Sequence, residues 1–182
     1  MAVKPVLKMG HPLLTQISKP VDDPTDDSIK SLVEDMFDTM HACEGAGLAA
    51  PQIGVLSRVV IFGFESNERY PDAESVPVTV LINPTIKILT TATATDWEGC
   101  LSVPGMRGRV TRPTEIHYSG YDLDGNWFER HANDFHARVV MHECDHLDGI
   151  LYPFKLNDMA DFGFIDALQE AGKYTPVACD SE

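Results

Sequence analysis

The clearest periodicity in the chain runs through Ile29, Leu32, Val33, Met36, Phe37 and Met40, at i, i+3, i+4, i+7, i+8 and i+11. Apolar residues so spaced line one face of an α-helix, and Thr25 or a neighbouring aspartate stands where an N-cap belongs. Before it, Met1 to Pro24 is irregular and broken by prolines. After it, Glu44-Gly45-Ala46-Gly47 stops the helix in a loop whose backbone can approach another group closely. The period then shortens. Arg58 to Phe64, Val76 to Asn83 and Thr85 to Leu89 read as strands, with Glu65 to Ser75 a polar surface loop between the first two. Thr114 to Tyr121 and Asn126 to His131 flank Asp122-Leu123-Asp124-Gly125, whose Asp-Gly favours a hairpin turn. Phe135, Val139, His142 and His146 restore a helical period at i, i+4, i+7 and i+11, with Asn133 or Asp134 as N-cap and Gly149 as the stop. Beyond Ile150 to Leu156, a short helix is expected from about Asp158 to Ala171 on Phe162, Ile165 and Leu168, followed by a frayed tail from Lys173 to Glu182.

Strands in antiparallel runs, with helices outside any β-α-β alternation, define an α+β fold. The expected architecture is antiparallel β-sheets packed around a central helix, with an N-terminal helix and a short C-terminal helix. With 182 residues, 43% of them hydrophobic, one domain spanning 1–182 is expected. Fourteen Lys plus Arg against twenty-eight Asp plus Glu leave a net charge of −14, the wrong sign for a phosphate backbone, so no nucleic-acid partner is expected. The start has no apolar signal region and no run approaches a membrane span, which points to a soluble cytoplasmic protein. Cys43, Cys100, Cys144 and Cys179 are too scattered for a disulfide framework, which leaves their thiols available as ligands.

The second helical segment carries His142-Glu143-Cys144-Asp145-His146, the pattern H-E-x-x-H. At about 100° per residue, positions four apart share a helix face, so two imidazoles can hold one cation while Glu143 stands beside it as a proton carrier. A catalytic site of this kind wants a third protein ligand. Cys144 points roughly 200° away from either histidine and reads as a small buried hydrophobe. No histidine follows His146, which disfavours the longer metalloprotease pattern. Glu170 and Cys100 remain as candidates, the latter in the glycine-bounded run from Trp97 to Gly105.

These residues resemble the peptide deformylases. Three separated motifs of that family stand here as Gly45-Ala46-Gly47-Leu48-Ala49-Ala50-Pro51-Gln52, Glu98-Gly99-Cys100-Leu101-Ser102 and the H-E-x-x-H segment, in the family's order. Gly10-His11-Pro12-Leu13-Leu14 extends the likeness to the N-terminal part, from about Val6 to Leu156. The resemblance implies that Cys100, His142 and His146 bind one divalent ion per chain, Fe²⁺ in the cell, with Zn²⁺, Ni²⁺ or Co²⁺ as substitutes. It implies Glu143 as general acid and base, and Gln52 with the Leu101 backbone N–H as donors to the formyl oxygen. The reaction implied is hydrolysis of a linear-amide C–N bond. Metal-bound water attacks the formyl carbon of an N-formylmethionyl peptide or nascent chain, and formate leaves. Substrate contacts are implied for Gly45, Ala46, Gly47 and Gly99 along its backbone, and for Phe135, Val139 and Arg107 around the methionine. Glu98 with Arg112 reads equally as a supporting ion pair or a solvated surface pair, and Asp145 and Asp148 as imidazole orienters or helix-end groups. His11, His41, His117, His131 and His136 read as structural or surface residues.

Two features depart from the family. Met141 stands where a glutamine is common, and the segment from Asp158 onward is acidic where the family often has a basic helix that reaches the ribosome. Transient proximity to the ribosome is compatible with this composition, whereas docking on its RNA through the tail is not expected. Two competing classes are an endopeptidase, which would cleave unformylated peptides, and a closed structural zinc site, which would need a fourth protein ligand and leave Glu143 without a role.

Overall fold

In the computed structural model, residues 2–65 and 75–175 are described. Among them the chain forms eight strands and three α-helices, together with short 3₁₀ turns. The strands are β1 (Gly47–Ala49), β2 (Val59–Phe64), β3 (Val76–Ile88), β4 (Thr93–Cys100), β5 (Val103–Pro113), β6 (Glu115–Tyr121), β7 (Trp127–Asn133) and β8 (Phe162–Phe164). The helices are α1 (Asp27–Ala42), α2 (Asp134–Leu147) and α3 (Ile165–Glu170). Every pairing of these strands is antiparallel, in one sheet of order β1-β2-β3-β6-β7 and a second of order β4-β5-β8. The α+β expectation therefore holds, with α2 touching both sheets.

The run Val59–Phe64 explains the layering. All six residues are buried, because β2 is covered on both faces. Val59 and Ile61 join Leu32, Val33, Met36 and Met40 of α1, while Val60, Phe62 and Phe64 join Val140, Cys144 and Leu147 of α2. Period-2 alternation sends neighbouring side chains into different cores, and the lack of polar positions records that both are dry.

The N-cap of α1 is Asp26, the aspartate expected beside Thr25, and the Asp26 side chain accepts from the Ser28 N–H at 2.8 Å. Several other element boundaries differ from expectation. The two strands read from Val76 to Leu89 are one, β3, bent at Asn83. Asn83 has φ +51, the register shifts between Ile82 and Thr85, and its amide exchanges two hydrogen bonds with the Val21 backbone at 2.8 and 2.9 Å. That tie fixes the otherwise irregular N-terminal arm. The β4–β5 hairpin was not foreseen, since Thr, Gly and Arg interrupt its apolar alternation. The expected helix from Asp158 to Ala171 is corrected. A 3₁₀ turn at Met159–Asp161 and strand β8 take its first half, and α3 keeps only Ile165–Glu170. Phe162-Gly163-Phe164 pairs with Met106–Gly108 of β5, so sheet hydrogen bonds win over a weak helical period that contains a glycine. The hairpin at Asp122–Gly125 forms as read, with Asp122 Oδ1 accepting from the N–H groups of Asp124 and Asn126. Most of the loop read from Glu65 to Ser75 and most of the tail lie outside the described residues.

Candidate metal centre and substrate cleft

Helix α2 runs through the interior and presents His142 and His146 on one face. Their rings are 5.2 Å apart. The end of β4 brings Cys100 to that face, with Sγ 3.3 Å from His146 Nε2. One ligand atom from each of Cys100, His142 and His146 lies within 4.8 Å of the others, and this is the group of three among the described residues able to hold an ion. Glu170 is exposed on α3 and takes no part. Cys144 lies in the core on the sheet side of α2, where burial pushes its thiol well above the usual range.

His142 is presented as a ligand by what surrounds it. His142 Nδ1 lies 2.9 Å from Glu98 Oε2, and a carboxylate can only accept, so Nδ1 holds the proton and Nε2 offers its lone pair. Glu98 is 3% exposed, which removes the surface-pair reading. Arg112 Nε and Nη2 donate to its two oxygens at 2.6 and 2.9 Å, and Arg138 Nη1 donates to Oε1 at 2.7 Å. Burial alone would raise this carboxyl. Hydrogen bonds from Arg112 and His142 outweigh it and hold Glu98 well below the usual carboxylate range. Burial would likewise raise the Cys100 thiol, but its contacts with the His146 and His142 imidazoles prevail and hold it well below its ordinary value. Thiolate is the form that binds a metal.

Asp145 reaches the centre indirectly. Arg112 Nη1 and Lys155 Nζ donate to it at 2.7 and 2.8 Å, so it orients the arginine that orients Glu98. Asp148 is an exposed helix-end group paired with Arg58 at 2.7 Å. Arg138 was missed by sequence reasoning, although an arginine four residues before His142 on the inner face of a buried helix was the available signal. Besides Glu98 it donates to the carbonyls of Val110 and Ala94, both at 2.9 Å, and so ties α2 to β4 and β5.

Glu143 is buried beside the centre, and its Oε2 has no hydrogen-bond partner among the described residues. Burial pushes its carboxyl up to about 7, against the pull of the two imidazoles. A buried carboxylate oxygen left unpaired is costly unless a water, ion or substrate completes it. The thiolate and imidazole donors, converging within ligand distance beside that oxygen, fit a divalent ion with an open position for water.

Gln52 is fixed from two sides. Its Oε1 accepts from the Ala49 N–H at 2.8 Å, and its Nε2 donates to Ser102 Oγ at 3.1 Å and Cys100 Sγ at 3.4 Å. A cleft opens over these groups. Gly45, Ala46, Gly47, Gly99, Leu101, Phe135 and Val139 line it, with Trp97 and Arg138 beside them. A Cβ on Gly47 would lie 2.5 Å from Glu143 Oε1, and one on Gly99 would overlap the Arg107 guanidinium. A side chain at either position would force Glu143 or Arg107 out of its place. Arg107 packs against Gly99 and donates to the Met106 carbonyl at 3.2 Å, without forming part of the cleft wall. Each sheet ends at the cleft, since β1 and β4 are edge strands.

A buried N₂S donor set beside an unpaired carboxylate oxygen, under a cleft lined by residues of two edge strands, defines a metal-dependent hydrolase of amide bonds. The polypeptide deformylase family profile matches residues 3–161. Peptide deformylase 2 of Ralstonia nicotianae is 58% identical over 91% of this chain and 94% of its own length. Peptide deformylase 1 of Nitrosomonas europaea shares 58% identity over the same proportions. Among solved structures, the class I type b peptide deformylase of Acinetobacter baumannii with Met-Ala-Ser bound superposes with a TM-score of 0.81 at 37% identity, covering 85% of this chain and 99% of that one. The chain belongs to the polypeptide deformylase family, hydrolases that remove the N-formyl group from the N-terminal methionine of polypeptides. No described helix is long and apolar enough to cross a membrane.

Proposed function

We propose that the chain acts as one catalytic domain, with Fe²⁺ held by Cys100, His142 and His146, Glu143 as proton carrier, and Gln52 with the Leu101 N–H as donors to the formyl oxygen. The observation that carries this reading is the convergence of three ligand atoms within 4.8 Å beside a buried carboxylate oxygen that lacks a partner. When bound, the ion supplies Lewis acidity that polarises the formyl group and makes a water more acidic. Glu143 takes a proton as water adds to the formyl carbon, and returns it to the amine nitrogen as the C–N bond breaks and formate leaves. Gln52 is held by the Ala49 N–H and Ser102 Oγ, and its second N–H, at a long 3.4 Å from Cys100 Sγ, turns to the formyl oxygen as charge builds there. Thiolate and imidazole suit Fe²⁺ and Zn²⁺ alike, and Zn²⁺, Ni²⁺ or Co²⁺ would occupy the same donors.

The substrate backbone adds as a strand between the edges of β1 and β4, against Gly45, Ala46, Gly47 and Gly99, which accounts for tolerance of varied sequences through main-chain pairing. Phe135 and Val139 give the methionine an apolar wall, and Arg107 supports the Gly99 segment behind it. The cytoplasm, where formylated chains emerge, is the proposed location. With 28 acidic against 14 basic residues, approach to the ribosome would not rest on contact with its RNA. The test is formate release from formyl-Met-Ala peptide after anaerobic reconstitution with Fe²⁺ or Zn²⁺. Turnover by the Fe²⁺ form well above the Zn²⁺ form is expected, and equal turnover would remove iron from the reading.

A further inference from the structure

Trp97 lines the substrate cleft, yet it is held by a residue from the far end of the chain. Its ring meets that of Tyr174 edge-on, with centroids 5.4 Å apart and planes at 71°. The connection is built in stages. Strand β5 pairs with β4 on one side and with β8 on the other, and α3 follows β8 directly. Leu168 of α3 is buried against Gly163 of β8. The N–H groups of Lys173 and Tyr174 donate to the Leu168 carbonyl at 2.9 and 3.2 Å, and Lys173 Nζ donates to the Ala160 carbonyl at 2.7 Å. The segment after α3 thus turns back and sets Tyr174 against Trp97.

The topology says which part of a substrate passes there. Cys100 ends β4, and the chain turns through Leu101 and Ser102 into β5. A peptide adding to the free edge of β4 with its formyl group at Cys100 can extend only towards Trp97. At about 3.3 Å per residue, three positions place Trp97 about 10 Å from Cys100, level with the third residue of the peptide. We infer that Trp97 is a specificity-determining residue for the third residue of the formylated chain, favouring an apolar side chain there, and that Tyr174 is the positioning residue holding its ring in place. This rests on the strand-addition reading of substrate binding given above.

The experiment compares formyl-Met-Ala-Leu-Ala, formyl-Met-Ala-Gly-Ala and the dipeptide formyl-Met-Ala as substrates of the metal-reconstituted full chain. The wild type should show a lower KM for the leucine peptide than for the glycine peptide, with similar kcat. Trp97→Ala should erase that preference by raising KM for the leucine peptide about three- to tenfold, the range expected for one lost aromatic contact. Trp97→Leu, which keeps an apolar filler, should retain part of the preference. Tyr174→Ala should lose most of it, and Tyr174→Phe, which keeps the ring, should restore it. A wild type indifferent to the third residue would overturn the inference while leaving deformylation intact. Full preference in Tyr174→Ala would overturn the positioning role. Absence of formate release from the dipeptide by the wild type would instead overturn the underlying reading of the site.

Discussion

At the scale of single residues, the proposed site separates holding an ion from moving a proton. Cys100 contributes the sole sulfur of the donor group, within 3.3 Å of His146 Nε2. Cys100→Ser replaces a thiolate with a neutral hydroxyl and should lose most bound metal, as read by metal analysis of the purified protein. Full stoichiometry with full activity would mean that another group completes the set. Glu143 makes no hydrogen bond through Oε2 to the described residues, so Glu143→Gln should keep the metal and the fold. Its kcat should fall by roughly 10²–10⁴-fold or more, the usual contribution of a positioned acid or base. Metal loss in proportion to activity would assign Glu143 as a ligand instead. Of these roles, the ligating histidines were legible because spacing on a helix is a local property. Arg138 was not, because its partners Glu98, Val110 and Ala94 lie 40, 28 and 44 residues away in sequence.

At the scale of elements, two joints carry measurable weight. Asn83 bends β3 and ties down Val21 through both halves of its amide, from a left-handed backbone conformation. Asn83→Ala would forfeit two hydrogen bonds and put a Cβ that makes no local bond into that conformation. We expect a loss of about 2–4 kcal/mol, measured by urea denaturation, with the bulge and the arm loosening together. The second joint lies where α2 meets the five-stranded sheet. Arg130 Nη1 donates to Tyr118 Oη at 3.1 Å, which turns the phenolic proton towards His136 Nε2 at 3.2 Å and requires a neutral imidazole there. Burial, helped by the Arg130 charge, lowers the pKa of His136 to about 4. Below its ordinary value of 6.5 the unfolded chain takes up a proton that the folded chain refuses, so this contribution is complete above that pH and lost as pH falls towards about 4. Because the ring is partly exposed, the amount should be no more than about 1 kcal/mol. His136→Gln, which can still accept from Tyr118 but does not titrate, should flatten that part of the stability profile. An unchanged slope would show that other groups set it. The mixed outcome at the C-terminal side has a related cause. The Phe162, Ile165 and Leu168 spacing suits a helix, but β5 offers Phe162-Gly163-Phe164 an open edge to pair with, which no local pattern encodes.

At the scale of the whole molecule, charge and topology set how it meets its partners. A net charge of −14 predicts that the chain shows no salt-dependent association with ribosomal RNA when sedimented with ribosomes at low ionic strength. Co-sedimentation that weakens with added salt would point to a local basic surface that overrides the average. What the sequence by itself determined was everything governed by short-range rules: the helical periods of α1 and α2, the Asp-Gly hairpin, the strand character of β2, the H-E-x-x-H pair, and the three motifs that mark the family. Tertiary structure alone decided the rest. It brought Cys100 to His146 across 46 residues, made Glu98 a buried hub rather than a surface partner, and left the edges of β1 and β4 facing each other across the cleft. It also set Tyr174 against Trp97. Periodicity reports which face of an element is dry, because burial repeats with the turn of a helix or the pleat of a strand. It does not report which distant polar groups will satisfy one another in that dry interior, because that choice is made only when the layers close and each buried charge must find a partner.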